Sequence, residues 1–236
     1  MTPRTGNPVS RRERPAKPAL TRGGIVAAAI AVMRAEGLDK ATMRRLARDL
    51  DTGPASLYVY VASTADLHAA VLDELLGEAD FRPAGGGSWR ERLTGVLLSY
   101  TGVLLAHPGL ARSALTARPS GENYLRLLER LLALLDEGGV PLEQAAWGVD
   151  VLLQFGTATA AEHGPGEQPA GAGEQWQALT RAVHQAPQAT HPRLRGAAAS
   201  LLAGSPDERM SWGFRVLING IAGTPLPHHS AGGHTS

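Results

Sequence analysis

Residues 41–64 read ATMRRLARDLDTGPASLYVYVAST, two short helix-like runs on either side of Asp51-Thr52-Gly53-Pro54. Thr42 suits a helix start, because its hydroxyl can accept from one of the N–H groups that a first turn leaves unpaired. Met43, Leu46, Ala47 and Leu50 then form one apolar stripe, with Arg44, Arg45 and Arg48 outside it on the exposed side. Asp51 stands where the chain needs a left-handed or bridging conformation, which Asp tolerates better than most residues. Gly53-Pro54 reads as a cap followed by proline at the first helical position, so a second helix is expected over 54–61. Two short helices joined by a tight turn, each with one buried stripe, match a helix-turn-helix.

Working outward, Ile25, Ala28, Ala29, Val32 and Met33 follow helical period from Thr21 to a stop at Gly37, with a weak start at Gly23-Gly24. On the other side, Ser63-Thr64-Ala65-Asp66 fits a capping box that opens a longer helix through Leu67, Val71, Leu72, Leu75 and Leu76. Pro83-Ala84-Gly85-Gly86-Gly87-Ser88 has no periodicity and marks a hinge or linker. Beyond it, helices are expected over 88–106, 109–117, 120–137 and 141–162, each closed by a proline or glycine signal. A loop over 163–173 precedes helices over 174–186, 191–203 and 206–223, and no alternating strand pattern or fixed repeat competes. The expected fold is all-α, divided into a basic disordered arm (1–19), a helix-turn-helix domain (20–82), a larger helical domain (88–224) and a polar tail (225–236).

Composition narrows the function. The 236 residues contain no cysteine, which excludes disulfides, thiolate catalysis and cysteine-ligated zinc. No apolar run is long enough to cross a bilayer, so a cytoplasmic chain with no membrane partner is expected. Residues 1–50 hold eleven Lys/Arg against four Asp/Glu, whereas residues 51–236 hold twelve against eighteen. A basic front on an acidic remainder points to a polyanionic partner for the N-terminal section, reinforced by Arg11, Arg12, Arg14 and Lys17 in the arm.

A major groove about 12 Å wide admits one helix, and bases are met by that helix's N-terminal residues. Here these are Gly53, Pro54, Ala55 and Ser56, of which Ser56 alone offers side-chain hydrogen bonding. Pro54 and Ala55 can touch a thymine methyl, and Arg44 can reach a guanine edge or a phosphate. Tyr58 and Tyr60 lie on other sides of the helix, where a phenol can donate to a phosphate oxygen.

In order along the chain, LTRGGIVAAAIAVMRAEGL, ATMRRLARDL and PASLYVYVASTADL resemble the DNA-binding domain of the TetR family of transcriptional regulators. The resemblance implies a homodimer that binds double-stranded operator DNA and is released by a small-molecule effector held in the second domain. It implies phosphate contacts from Thr42, Tyr58 and Tyr60 and base contacts from Arg44, Pro54, Ala55 and Ser56, with Arg45 and Thr64 completing the candidate set. Three positions depart from the family pattern: Asp51 replaces the turn glycine, Gly24 an acidic residue, and Thr64 a lysine at the start of the fourth helix. The arm is expected to compensate for the missing lysine.

The resemblance also implies that the helices carrying Val149, Leu152, Leu153 and Ala160, and Met210, Phe214, Leu217, Ile218 and Ile221, pair across the dimer. Gly148, Gly156, Ala158, Gly213 and Gly220 would permit close approach there. Tyr100, Trp147, Gln154, Phe155, Thr159, His163 and Trp176 are candidate ligand residues, polar or aromatic groups set among apolar helices. The eight histidines show no metal-ligand spacing, and no nucleophile elbow, phosphate loop or dinucleotide fingerprint occurs, so no enzyme, metal or cofactor is expected. The rival reading is a helical adaptor that binds protein and has no affinity for DNA.

Overall fold

The computed structural model describes residues 19–81, 86–163 and 171–227; the arm through Pro18 and the histidines of the tail lie outside them. Those residues form eleven α-helices and, among them, no strand. The first four are α1 (Arg22–Glu36), α2 (Met43–Asp49), α3 (Pro54–Leu57) and α4 (Thr64–Glu78), with a single 3-10 turn at Leu38–Lys40 between α1 and α2. Then come α5 (Trp89–Ala106), α6 (Pro108–Ala114), α7 (Glu122–Glu137) and α8 (Leu142–His163). The last three are α9 (Ala172–Gln185), α10 (Pro192–Leu202) and α11 (Pro206–Gly223).

The start of α1 is anchored despite its two glycines, because the Thr21 hydroxyl accepts from the Gly24 N–H at 3.0 Å. Arg22 pairs with Asp66 at 2.9 Å and Arg34 with Glu78 at 2.6 Å, so α1 and α4 are tied at both ends and run in the same direction. Ser63 caps α4 by accepting from Asp66 N–H, and the Asp66 carboxylate returns the bond one residue early, to Ala62 N–H at 2.8 Å. Gly37, at φ 94°, ends α1 in a region only glycine enters cheaply.

Two apolar cores result. Ile25, Leu46, Leu57, Val61, Leu67 and Val71 fill the first, and Leu93, Leu97, Leu104, Leu127, Leu131, Leu152 and Phe214 fill the second. Helices α4 and α6 give buried residues to both: α4 gives Val71 and Leu75 to the first core and Leu72 and Leu76 to the second, and α6 gives Leu110 to the first and Ala111 and Ala114 to the second. The two cores are therefore coupled through packed side chains, which transmit displacement because interiors are dense. Among the described residues no single helix is long and apolar enough to cross a membrane.

On α8 and α11 the apolar lines named from the sequence face inward. Val149, Leu152, Leu153 and Ala160 on α8, and Met210, Phe214 and Ile218 on α11, are buried in the chain's own second core, with Leu217 and Ile221 packed against it. Gly148 and Gly213 allow close approach within one chain: an added Cβ would lie 2.6 Å from Ile221 and from Phe155, respectively. The outward side is a different set, with Trp147 and Val151 on α8 and Trp212 and Val216 on α11 all exposed.

Candidate nucleic-acid interface

The turn between α2 and α3 is built by its sequence. Thr42 caps α2, its hydroxyl accepting from Arg45 N–H at 3.2 Å. At the other end Thr52 N–H reaches Ala47 C=O (2.8 Å) and Asp51 N–H reaches Arg48 C=O (3.1 Å), the paired bonds of a Schellman stop. Asp51 occupies the left-handed position of that motif at φ 50°, the one described non-glycine residue with positive φ. Gly53 then caps α3 with extended backbone and Pro54 opens it, as the sequence leads one to expect.

Helix α3 is shorter than expected, four residues instead of eight. After Leu57 the chain tightens, with Tyr60 N–H bonding Leu57 C=O at 2.9 Å, and Tyr58, Val59 and Tyr60 form a turn. Aromatic and β-branched side chains lose rotamer freedom in a helix, and three in succession weaken its last turn. The tyrosines therefore project from this turn and not from sides of the helix.

Leu57 and Val61 are fully buried behind this surface, and Leu46 and Ala47 hold α2 against the same core. In front of them Pro54, Ala55, Ser56, Tyr58 and Tyr60 are exposed, together with Thr42 and Arg44 on α2 and Thr64 at the start of α4. Val59 had no place in the expected site, yet it is 79% exposed, an apolar side chain at the tip of the turn between the two tyrosines. The sequence did not mark it, because the segment reads as helix through Val61.

Arg45 departs from the rest. Its guanidinium is half-buried and committed within the chain, donating to both Glu36 carboxylate oxygens at 3.0 and 2.7 Å and to Asp49 at 2.7 Å. The Arg45 hydrogen bonds hold the Glu36 carboxyl below its usual range. The expectation that Arg45 stays exposed beside Arg44 is thus corrected: its guanidinium ties the end of α1 to α2.

In the larger domain the seven candidate ligand residues do not converge. Trp147, Gln154, His163 and Trp176 are exposed on α8 and α9 and Thr159 is half-buried, whereas Tyr100 is buried and Phe155 packs edge-on against Phe214 with ring centroids 5.1 Å apart. The Tyr100 hydroxyl lies 2.7 Å from that of Thr157, and burial pushes its phenol up to about 12, the hydrogen bond opposing the shift. Arg118 pairs with Asp150 nearby, a coupling that sequence spacing could not reveal because 32 residues separate them.

Two family patterns match this chain: "Bacterial regulatory proteins, tetR family" over residues 25–71 and "Tetracyclin repressor-like, C-terminal domain" over residues 82–224. The chain belongs to the TetR family. A Streptomyces coelicolor protein assigned as a transcription regulator has a crystal structure that is 59% identical, with a TM-score of 0.77, over 91% of this chain and all of that one. ActR of the same organism, without ligand, is 35% identical with a TM-score of 0.74, over 86% of this chain and 95% of ActR. ActR has also been solved in complex with actinorhodin. An HTH-type transcriptional regulator of Saccharopolyspora erythraea is 34% identical over 123 residues, 52% of each chain. The matches to the first curated relatives span about half their length. As a TetR-family chain, this protein places its helix-turn-helix within the residues matched by the family's regulatory pattern.

Proposed function

We propose that the protein is a homodimeric, ligand-responsive DNA-binding regulator, acting as a repressor that a small molecule releases from its operator. The observation that carries this reading is the front of α3: Pro54, Ala55 and Ser56 exposed at a helix start, backed by fully buried Leu57. A major-groove reader needs that arrangement. Arg44 and these three residues read bases; Thr42, Tyr58 and Tyr60 contact phosphates, and Thr64 adds a hydroxyl at the N-terminus of α4. Arg45 is a positioning residue, because its guanidinium is occupied by Glu36 and Asp49.

The domain division follows the same reading: arm 1–19, DNA-binding domain 20–82, effector and dimerisation domain 88–224, tail 225–236. The second copy packs on the exposed band of Trp147, Val151, Trp212 and Val216. A small molecule of the kind ActR holds enters the second core beside Tyr100 and Phe155, where Thr101 and Thr157 are buried polar groups in apolar surroundings. Displacement there reaches α3 through α4 and α6, which belong to both cores. The effector releases DNA only in so far as it binds the released spacing of the two recognition helices more tightly. Such a protein is a regulator and carries no catalytic role.

Fluorescence anisotropy on a duplex from the region upstream of its own gene tests this. Saturable binding that survives excess unrelated DNA is expected. Absence of retention at low salt would favour the helical adaptor instead.

A further inference from the structure

We propose that the cleft between α5 and α11 is a binding site for an organic carboxylate with an apolar tail, separate from the interior effector site. The cleft is half-open, with a volume of ≈ 570 Å³, and is lined by Arg90, Thr94, Gly95 and Leu98 from α5 and by Ser211, Arg215, Ile218 and Asn219 from α11, among others. That volume suits a small organic molecule.

Its polar groups are arranged for an anion. The Arg90 Nε donates to Asn219 Oδ1 at 3.0 Å, and its guanidinium lies 4.2 Å from the Trp89 ring centroid. These contacts fix the plane of the guanidinium and leave its two terminal nitrogens without a partner among the described residues, the fork geometry that carboxylates fit. Arg215, from the opposite wall, has no hydrogen bond or ion pair among the described residues, and the Ser211 hydroxyl is equally unengaged. The one carboxylate on the rim, Glu91, is already tied to Ser88, accepting from its N–H at 2.6 Å and its hydroxyl at 2.9 Å.

The floor is apolar. Half-buried Leu98 and fully buried Ile218 line it, and Gly95 on the exposed edge leaves open space, since an added Cβ would meet nothing within 4 Å. Ser211, Arg215 and Ile218 follow one line along α11, offset by one residue, about 100° of helix rotation, from exposed Trp212 and Val216. Asn219, by contrast, lies on the line of Trp212 and Val216, so the cleft borders the proposed subunit face.

Titration calorimetry of octanoate into the full-length protein, without DNA, tests the site independently of operator binding. Saturable binding is expected, with octanol and inorganic phosphate each weaker by about tenfold or more, since each lacks one half of the recognised chemistry. Arg90→Gln and Arg215→Glu should each weaken octanoate at least about tenfold. Gly95→Leu, which improves helix propensity while filling the cleft from its exposed edge, should abolish binding and leave the thermal midpoint equal or higher. No saturable octanoate binding, octanol binding equally well, phosphate alone binding equally well (an adventitious ion only), or full affinity in Gly95→Leu would each overturn the proposal.

Discussion

Helices α3 and α11 each bury one line of side chains and expose another, but their exposed lines differ in kind. On α3 the outward residues are Pro54, Ala55 and Ser56, small or polar, with a basic helix alongside. On α11 they include Trp212 and Val216, large and apolar, next to Trp147 and Val151 of α8. Small groups at a helix start fit into a groove lined by base edges and phosphates, whereas a band of aromatic and branched side chains suits an apolar protein surface. The inward lines are alike, and deleting either tests packing alone.

The largest effect is expected there. Phe214→Ala should cost about 3–5 kcal/mol, because the ring is fully buried and its edge-on contact with Phe155 is lost. Chemical denaturation should show it as a lowered midpoint at unchanged slope. If Phe214 instead faced a second subunit, dilution would deepen the loss; a concentration-independent loss keeps it inside one chain.

The outward line of α11 comes next. Trp212→Ala should weaken subunit association by about 2–4 kcal/mol per protomer, in the range of aromatic hot spots, with helicity unchanged. Sedimentation over a range of concentrations reads this directly. A dimer as tight as the original would move the interface away from α8 and α11.

These two residues show what periodicity can and cannot say. The spacing of Met210, Phe214 and Ile218 marks them as one face, and they are one face, but nothing in a 3.6-residue period names the surface that covers it. The resemblance implied that the helix carrying it pairs with a second copy, but this face is covered by the chain's own α5 and α8, which leaves the opposite line of α11 for a partner. In the N-terminal unit the same reasoning fared better, since caps and turns are local chemistry: Thr42, Asp51, Gly53-Pro54 and Ser63 act where the residues imply. Arg45 and the end of α3 were misjudged for one reason each. The partner Glu36 lies nine residues back on another helix, and α3 ends too early to carry its tyrosines as helical residues. In the candidate effector site, Tyr100 and Thr157 are 57 residues apart, so their meeting belongs to tertiary structure.

On the α3 side, Arg44→Ala should cost about 1–3 kcal/mol on the preferred operator and relax discrimination among base substitutions. Tyr58→Phe, which removes one hydroxyl, should weaken every sequence alike and by less, about 0.5–1.5 kcal/mol. Anisotropy against a panel of operator variants separates the two. Equal loss of discrimination in both would erase the division between readers and anchors on this surface.

The smallest effect is expected at the turn that holds the two helices of the reader together. Asp51 sits at φ 50° at the stop of α2, a conformation that costs an L-residue roughly 1–2 kcal/mol, less for Asp than for most. Asp51→Gly removes that strain but adds conformational freedom to the unfolded chain, worth about 0.4–1 kcal/mol in the opposite sense. The two nearly cancel, so the net gain should be below about 1 kcal/mol. Asp51→Ala keeps the Cβ and forfeits the tolerance of Asp for left-handed backbone, so it should be the least stable of the three. The order Gly at least as stable as Asp, and Asp above Ala, in thermal melts follows if the left-handed backbone governs this position. Ala equal to Asp would show that the Asp side chain gives no advantage at this left-handed position. Operator affinity should track the same order only weakly, since Asp51 is not among the candidate reading or phosphate-contacting residues.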